Sequence, residues 1–350
     1  MNDANKKQSS QALTIQAYCN SILQQQKVDF SYDDSLVKYQ NQINNFLASA
    51  QGNADNYINT LLPQIIDNIS NINNYCDLHT SVPDTIPENG TAQQWNEAIA
   101  ALIEVSLNYS TTAFNLSNLI KSFAENIDTD AGDFSIVVTN LNSAVSGDNG
   151  VLDSNKKQIE SLQSKIAGEE AGIAISFIGI IGGIIQIFVG AFADVVTGGA
   201  SVGLVISGSI TLAGGIAGES AALVELVADT KLRGTLISED TQLTSEVKIA
   251  QGVATGYSGL GTRVRAASAC ALAMANAWSL LNSELNTLSK NLTTGLQNTG
   301  EIRNLFLAGA NKDLQQIIET TGIIENQMTG VSIVTAPPGQ TLYSILPSYS

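Results

Sequence analysis

The stretch from Ala171 to Gly218, AGIAISFIGIIGGIIQIFVGAFADVVTGGASVGLVISGSITLAGGIAG, contains a single charged residue, Asp194. Asp194 divides it into two uncharged runs, 171–193 and 195–218, of 23 and 24 residues. A helix of that length rises about 35 Å, which is enough to cross the hydrocarbon core of a bilayer. The stretch therefore predicts a hairpin of two membrane spans.

A buried central helix of a soluble bundle is the alternative interpretation of such a run. Glycine content separates the two, because 12 of the chain's 29 glycines fall within these 48 residues. Glycine costs a water-soluble helix about 1 kcal/mol relative to alanine, whereas it is frequent in packed membrane helices. The mean hydropathy of the whole chain is only +0.10, which disfavours permanent residence in a membrane.

Small and weakly polar residues recur every three or four positions in both runs, so each run as a helix has a stripe facing a pore lumen or a neighbouring helix. The stripe residues are Ser176, Gly179, Gly183, Gln186 and Gly190, then Gly203, Ser207 and Thr211. The apolar faces predicted to meet lipid contain Ile175, Phe177, Ile181, Phe188, Leu204 and Leu212.

The hairpin tip is predicted at Asp194 and the following Thr197, Gly198 and Gly199. A carboxylate at the bilayer centre costs about 2.5 to 3.5 kcal/mol on insertion scales. The only carboxylate in the stretch is therefore expected at the end of the hairpin, beyond the hydrocarbon.

Charge and cysteine content exclude several classes of function. A net charge of −16 and a pI near 4.3 leave no basic surface for nucleic acid, and they disfavour simple attraction to anionic lipid. The chain has three cysteines, Cys19, Cys76 and Cys270, and they lack metal-ligand spacing. Free buried thiols are expected, and one disulfide is the alternative. The N-terminus shows no apolar region typical of a cleavable secretory signal.

Outside the apolar stretch the chain predicts long amphipathic helices. Apolar residues alternate at four- and three-residue spacing in three segments, from Ile58 to His79, from Trp95 to Ile127 and from Met274 to Leu292. Thr91 and Gln94 form a capping box at the start of the second. Residues 128–150 are rich in turn formers around a short helical piece, and the glycines of 252–261 could bend the later helix.

The sequence contains no catalytic or cofactor-binding constellation. His79 is the only histidine and lies on an apolar seam, so a structural role is expected. The glycines near residue 260 lack the rest of a dinucleotide fingerprint, and the carboxylates are scattered along solvated faces. We therefore expect no enzyme activity, no metal and no cofactor.

Long amphipathic helices around a mid-sequence apolar hairpin resemble the cytolysin A superfamily of α-helical pore-forming toxins, which includes components of haemolysin BL, non-haemolytic enterotoxin and the tripartite toxins of Gram-negative bacteria. The hairpin of residues 176–218 looks most like that of the B component of a tripartite toxin. A single-component cytolysin would carry an additional amphipathic N-terminal pore helix, whereas residues 1–30 are polar.

The resemblance implies a mainly α fold, with an elongated tail bundle formed by residues 1–165 and 220–350 and a small head formed by 166–219. In the soluble form the head would be partly a β-tongue, and in the pore a helical hairpin. The implied partners are target-cell membrane lipid, further copies of the chain and other toxin components, with secretion before insertion.

Two other interpretations remain open at this point. A pore-forming bacteriocin-like protein also inserts a buried apolar hairpin, but its helices are short. A non-toxin structural protein could carry the two runs as permanent membrane spans, which solubility without detergent would contradict.

Overall fold

The structure is a computed structural model that describes residues 2–24, 27–28, 34–146, 173–181, 184–191, 195–197, 200–202, 204–205, 242–309 and 313–335. The helices are α1 (Asn2–Gln24), α2 (Val37–Asn56), a π-helical turn (Tyr57–Leu61), α3 (Leu62–Thr85), α4 (Ala92–Ser146), α5 (Gln242–Thr293), α6 (Thr299–Gly309) and α7 (Asp313–Thr329). The strands are β1 (Ile173–Ile181), β2 (Ile184–Ala191), β3 (Val195–Thr197), β4 (Ala200–Val202), β5 (Leu204–Val205) and β6 (Ser332–Thr335).

Helices α4 and α5 form an antiparallel pair at the centre of the bundle. They contain 55 and 52 residues, so α4 extends about 80 Å. Serine hydroxyls bridge the pair: Ser110 donates to the carbonyl of Ala275, and Ser117 to that of Ser268, both at 3.0 Å. Small side chains at these positions let the two backbones approach closely, while a hydroxyl still satisfies each buried contact.

The predicted seam of α4 is confirmed. Its large apolar side chains are almost fully buried, at Trp95, Ile99, Leu102, Leu116, Ile120, Phe123 and Ile127. The capping box is also confirmed, since the Thr91 backbone N–H donates to Gln94 Oε1 at 2.9 Å, and the Gln94 N–H donates back to Thr91 Oγ1 at 3.3 Å. The 4–3 repeat therefore predicts this helix correctly from its first residue.

The prediction of turns around a short helical piece is wrong for residues 128–146, because α4 continues to Ser146. Asp130 is 5% exposed and accepts hydrogen bonds from Ser49 Oγ at 2.9 Å and Asn53 Nδ2 at 2.6 Å. Burial nevertheless raises the pKa of the Asp130 carboxyl. These contacts with α2 override the turn-forming composition of the segment. Helix α5 likewise runs through 252–261 without interruption.

One predicted core position, Ile58, is also wrong. The π-helical turn adds a residue to the helix, with the Leu62 N–H donating to the carbonyl of Tyr57, five residues back. Tyr57 consequently takes the core position, where its ring stacks on Phe123 with centroids 5.3 Å apart. Pro63 follows at once and has no N–H to continue the regular ladder.

An aromatic cluster lies at one end of the α4–α5 pair, where the start of α4 meets the end of α5. Tyr75 and Tyr109 each contact Trp278 with ring centroids 5.2 Å apart. Phe306 of α6 packs against Trp95 at 5.7 Å. Arg303 fixes α6 to the end of α3, because its Nη1 donates to the carbonyls of Pro83 and Ile86 at 3.1 and 2.9 Å. The cluster ties four helices together.

His79 belongs to this cluster and has the structural environment that its seam position predicts. Its ring stacks on Phe306 with centroids 4.6 Å apart, and within the described chain its Nδ1 has no hydrogen-bond partner. Burial lowers the pKa of the imidazole below its usual 6.5, because an apolar environment disfavours the charged form.

We expect acidification to destabilise the protein through His79. The folded state favours neutral imidazole, so stability is retained above the unfolded-state pKa near 6.5 and falls as the pH drops through it toward the folded-state pKa. Because this is the only histidine, its ¹³C-edited NMR titration is unambiguous and should give a pKa below 6.5.

The matched variant is His79→Phe, which keeps the stacking on Phe306 without a titrating group. Urea unfolding at pH 7.5 and pH 5.5 should show the wild type losing stability relative to this variant. An NMR pKa at or above 6.5 would contradict the prediction.

Candidate functional site

The described residues offer little reactive chemistry. No group of three or more His, Cys, Asp or Glu side chains among them could hold a metal ion. The three thiols are free, and burial raises the pKa of Cys76 to about 11, so this thiol is not a ready nucleophile at neutral pH. The apolar stretch is therefore the candidate site.

The first half of the apolar stretch forms a β-hairpin. Strands β1 and β2 are antiparallel, with Ala174 opposite Ala191 and Ile181 opposite Ile184. Only Gly182 and Gly183 separate the strands in the sequence, and a two-residue Gly-Gly connection is typical of tight hairpins. Ile, Val and Phe favour extended backbone, so this segment suits a sheet as well as a helix.

The hairpin lies within a larger sheet whose order is β5-β1-β2-β6. Both outer strands are parallel to their neighbours: β5 pairs with β1, and β6 pairs with β2 from Gln186–Ser332 to Val189–Thr335. Strands β3 and β4 form a separate antiparallel pair in which Thr197 lies opposite Ala200. The strand-like sequence after α7 is thus part of the same sheet as the apolar stretch.

The sheet rests against the helical bundle. Strands β1 and β2 contact α1, β2 also contacts α7, and β3 and β5 contact α5. Helix α1 is therefore the main support of the hairpin. In this arrangement the strands form their backbone hydrogen bonds with one another, so the segment need not be helical in the soluble form.

Helix α1 is unusual because it is polar and yet buried. Asn5, Gln8 and Ser9 are 0% exposed, as are Ala12 and Leu13 in the next turn. Neighbouring helices satisfy part of this polarity: Asn5 Nδ2 donates to Thr321 Oγ1 and Asn68 Nδ2 to Gln8 Oε1, both at 3.3 Å.

Other amide atoms of α1 have no partner within the described chain, namely Asn5 Oδ1, Gln8 Nε2, Gln11 Oε1 and Gln16 Oε1. A buried polar atom without a partner costs about 1 to 3 kcal/mol. The buried position of α1 is therefore energetically less favourable than that of an apolar helix would be. The polarity of residues 1–30 did not predict this buried position.

The structure distributes the predicted site residues as follows. Ile175, Ser176, Phe177, Gly179 and Ile181 lie in β1, and Gln186, Phe188 and Gly190 lie in β2, while Thr197 is in β3 and Leu204 in β5. Gly183, Asp194, Gly198, Gly199, Gly203, Ser207, Thr211 and Leu212 lie outside the described residues. Their predicted roles in the membrane stay predictions.

The register of the sheet does not reproduce the helical stripe. Successive positions of a strand alternate between the two faces, so Ser176 and Gly179 fall on opposite faces of β1. Gly179 is opposite Gln186 and Ile175 opposite Gly190, which places small and large residues on the same face. The stripe exists only when the segment is helical.

One described stretch, Val264–Thr293 of α5, is long and apolar enough to cross a membrane. The central helix of a soluble bundle meets the same criterion, and Met274 and Trp278 of this stretch are fully buried in the core. Packing in the core accounts for these buried apolar side chains, whereas others, such as Leu280, are exposed.

Comparisons with known proteins identify relatives of the whole chain. The family profile for Bacillus haemolytic enterotoxin (HBL) matches residues 1–169. Comparison with curated protein sequences gives no match.

Solved structures show closer similarity. Soluble AhlB of the tripartite alpha-pore-forming toxin AHL from Aeromonas hydrophila is 33% identical, with 98% of this chain and 97% of that chain covered and a TM-score of 0.73. The pore form of AhlB gives 32% identity, coverage of 95% and 98% and a TM-score of 0.69. Soluble SmhB of the tripartite toxin Smh from Serratia marcescens gives 29% identity, coverage of 98% and 96% and a TM-score of 0.70.

Proposed function

Because the chain belongs to the family of tripartite α-pore-forming toxin components that contains AhlB and SmhB, we propose that it is the subunit that inserts residues 171–218 into a target membrane. It is a pore-forming toxin subunit that is secreted in soluble form. It enters the membrane of a target cell, assembles with further copies of itself and acts with other toxin components.

One observation carries the assignment of the membrane-inserting segment. The two uncharged runs of 23 and 24 residues are each long enough to span a bilayer as helices, whereas β1 and β2 hold part of them as strands against α1. If each run became helical over its whole length, it would rise about 35 Å, which is enough to cross the hydrocarbon core. A helix is also suited to hydrocarbon, because all its backbone hydrogen bonds are formed within the segment.

The other interpretations fit less well. Bacteriocin-like pore formers have short helices, whereas α4 and α5 have 55 and 52 residues. Permanent membrane spans are hard to reconcile with a relative, AhlB, whose structure is known in both soluble and pore forms. The pore-forming family also suggests a non-enzymatic protein, and we assign the chain no catalytic role.

We expect deletion of residues 171–218 to abolish membrane activity while the bundle remains folded. Purified wild type, alone and with the proteins encoded beside its gene, should be tested for erythrocyte lysis and for liposome binding. The deletion variant should do neither, since only this stretch has sufficient apolar length. Liposome binding retained by a folded deletion variant, monitored by circular dichroism, would place the membrane contact elsewhere.

Asp194 is proposed to lie at the hairpin tip in the inserted form, with Thr197, Gly198 and Gly199 completing the turn. A cysteine at position 194 should react with an impermeant thiol reagent added on the far side of the bilayer, because the tip must pass beyond the hydrocarbon. Ser332→Cys, outside the stretch, is the control. It should react only with reagent added on the side of the bilayer to which the toxin was added. Labelling of position 194 solely from that near side would mean that the hairpin does not cross.

The small-residue stripe is proposed to face the pore lumen, and the apolar face to meet lipid, because hydrocarbon offers no partner for Ser176, Gln186, Ser207 or Thr211. Gln186→Lys should shift the ion selectivity of single channels toward anions, whereas Phe188→Lys, two residues away, should prevent insertion. Planar-bilayer recordings of both variants test this. If Gln186→Lys also prevents insertion, position 186 is buried between helices and the lumen assignment is wrong.

A further inference from the structure

Strand β6 differs in origin from the rest of its sheet. Strands β5, β1 and β2 all come from residues 171–218, whereas β6 is formed by Ser332–Thr335. Of the strands that the structure describes, β6 is the one contributed by a segment outside the apolar stretch. It is paired with four consecutive residues of β2, which are also residues of the first predicted membrane span.

The bundle holds β6 in place through α7. Glu325 of α7 accepts hydrogen bonds from Ser70 Oγ at 2.7 Å and Asn73 Nδ2 at 2.9 Å, both on α3. Only Gly330 and Val331 separate the end of α7 from β6, and the Gly330 N–H donates to the carbonyl of Asn326. A short connection of this kind leaves β6 little freedom to follow β2 if the hairpin moves away.

Strand pairing is the contact that insertion must break. Helical backbone bonds lie within one segment, so residues 186–189 cannot be helical and still pair with β6. Helix α1 also contacts both strands of the hairpin, but of the described segments outside the apolar stretch, β6 is the one that is hydrogen-bonded into their sheet. The pairing of β2 with β6 is thus a direct link between the membrane-inserting segment and the rest of the protein.

We infer that β6 is a latch that retains the apolar hairpin in the soluble form, and that its release from β2 precedes insertion. This inference rests on the proposed function of residues 171–218. The inference adds that separation of β2 from β6 controls when residues 171–218 can insert.

A disulfide between paired positions tests the latch in the full-length protein. Ile187 and Ile333 lie opposite each other, and neighbouring strands are about 4.8 Å apart, which is within the range that a disulfide bridges. The variant is Ile187→Cys with Ile333→Cys, and bond formation is verified by mass spectrometry. The control is Ile178→Cys with Ile333→Cys; Ile178 pairs with Ile187 on the other side, so it lies two strands, about 10 Å, from β6.

The oxidised Ile187–Ile333 variant should release dye from lipid vesicles at least tenfold more slowly than the same protein after reduction, in the presence of whatever components the wild type needs. The control should be equally active in both redox states. Equal dye release by the verified cross-linked protein would overturn the latch. Inactivity of the reduced variant and of the wild type would instead count against the proposed function.

A second measurement does not depend on membranes. In an edge strand successive N–H groups alternate between the partner strand and the open side, so either Ile333→Pro or Val334→Pro removes a hydrogen bond to β2, and the other serves as its control. Hydrogen exchange of β2 amides in solution should accelerate at least tenfold in one of them, with exchange in α4 unchanged. Unaltered β2 exchange in both variants would overturn the inference even if the wild type forms pores.

Discussion

Every backbone N–H and C=O of the apolar stretch must be hydrogen-bonded in two different solvents, and the rest of the structure depends on this constraint. In water the described part of the stretch meets it with strands, each of which needs a neighbour. In hydrocarbon only helices or closed barrels meet it. A helix needs no neighbour, whereas a sheet ends at an edge that another segment has to cover. In the soluble form β6, a strand from elsewhere in the chain, covers the edge that β2 would otherwise present.

The packing of the helical bundle does not depend on the apolar stretch, whereas the sheet is formed largely by it. Trp95, Trp278 and Phe306 are buried in one aromatic cluster, and serine-to-carbonyl bonds fasten α4 to α5. These contacts do not involve the apolar stretch. A bundle whose packing does not depend on the hairpin can lose the hairpin to a membrane and remain folded.

Much of this frame can be predicted from the sequence, because a repeat of four and three sustained from Trp95 to Ile127 is typical of a long packed helix. Three features could not. The burial of Asp130 depends on Ser49 and Asn53 of another helix, which donate to it, and the π-helical turn adds a residue that no pattern indicates. The polar composition of α1 predicts exposure, yet the helix is central, since bundle position depends on contacts with distant segments such as Thr321.

For the apolar stretch the sequence predicted the segment and its two possible conformations, but not its partner. Ser332–Thr335 is only four residues long, and a strand of that length carries too little pattern to specify its pairing. The proposed inserted helices follow a period of 3.6, whereas the sheet follows a period of two, so the two forms group the same residues into different faces.

This double periodicity restricts which substitutions the hairpin can accept during evolution. Each position of β1 and β2 has to suit its place in the sheet register and, in the proposed inserted form, its place on a helix in lipid. A charge that is harmless on one face of the sheet would fall on the lipid side of the helix, and a bulky residue that fits the helix would crowd an opposite strand. Ile, Val, Ala and Gly satisfy both requirements more often than other residues do, so a segment under both demands should drift among these four and acquire polar residues rarely.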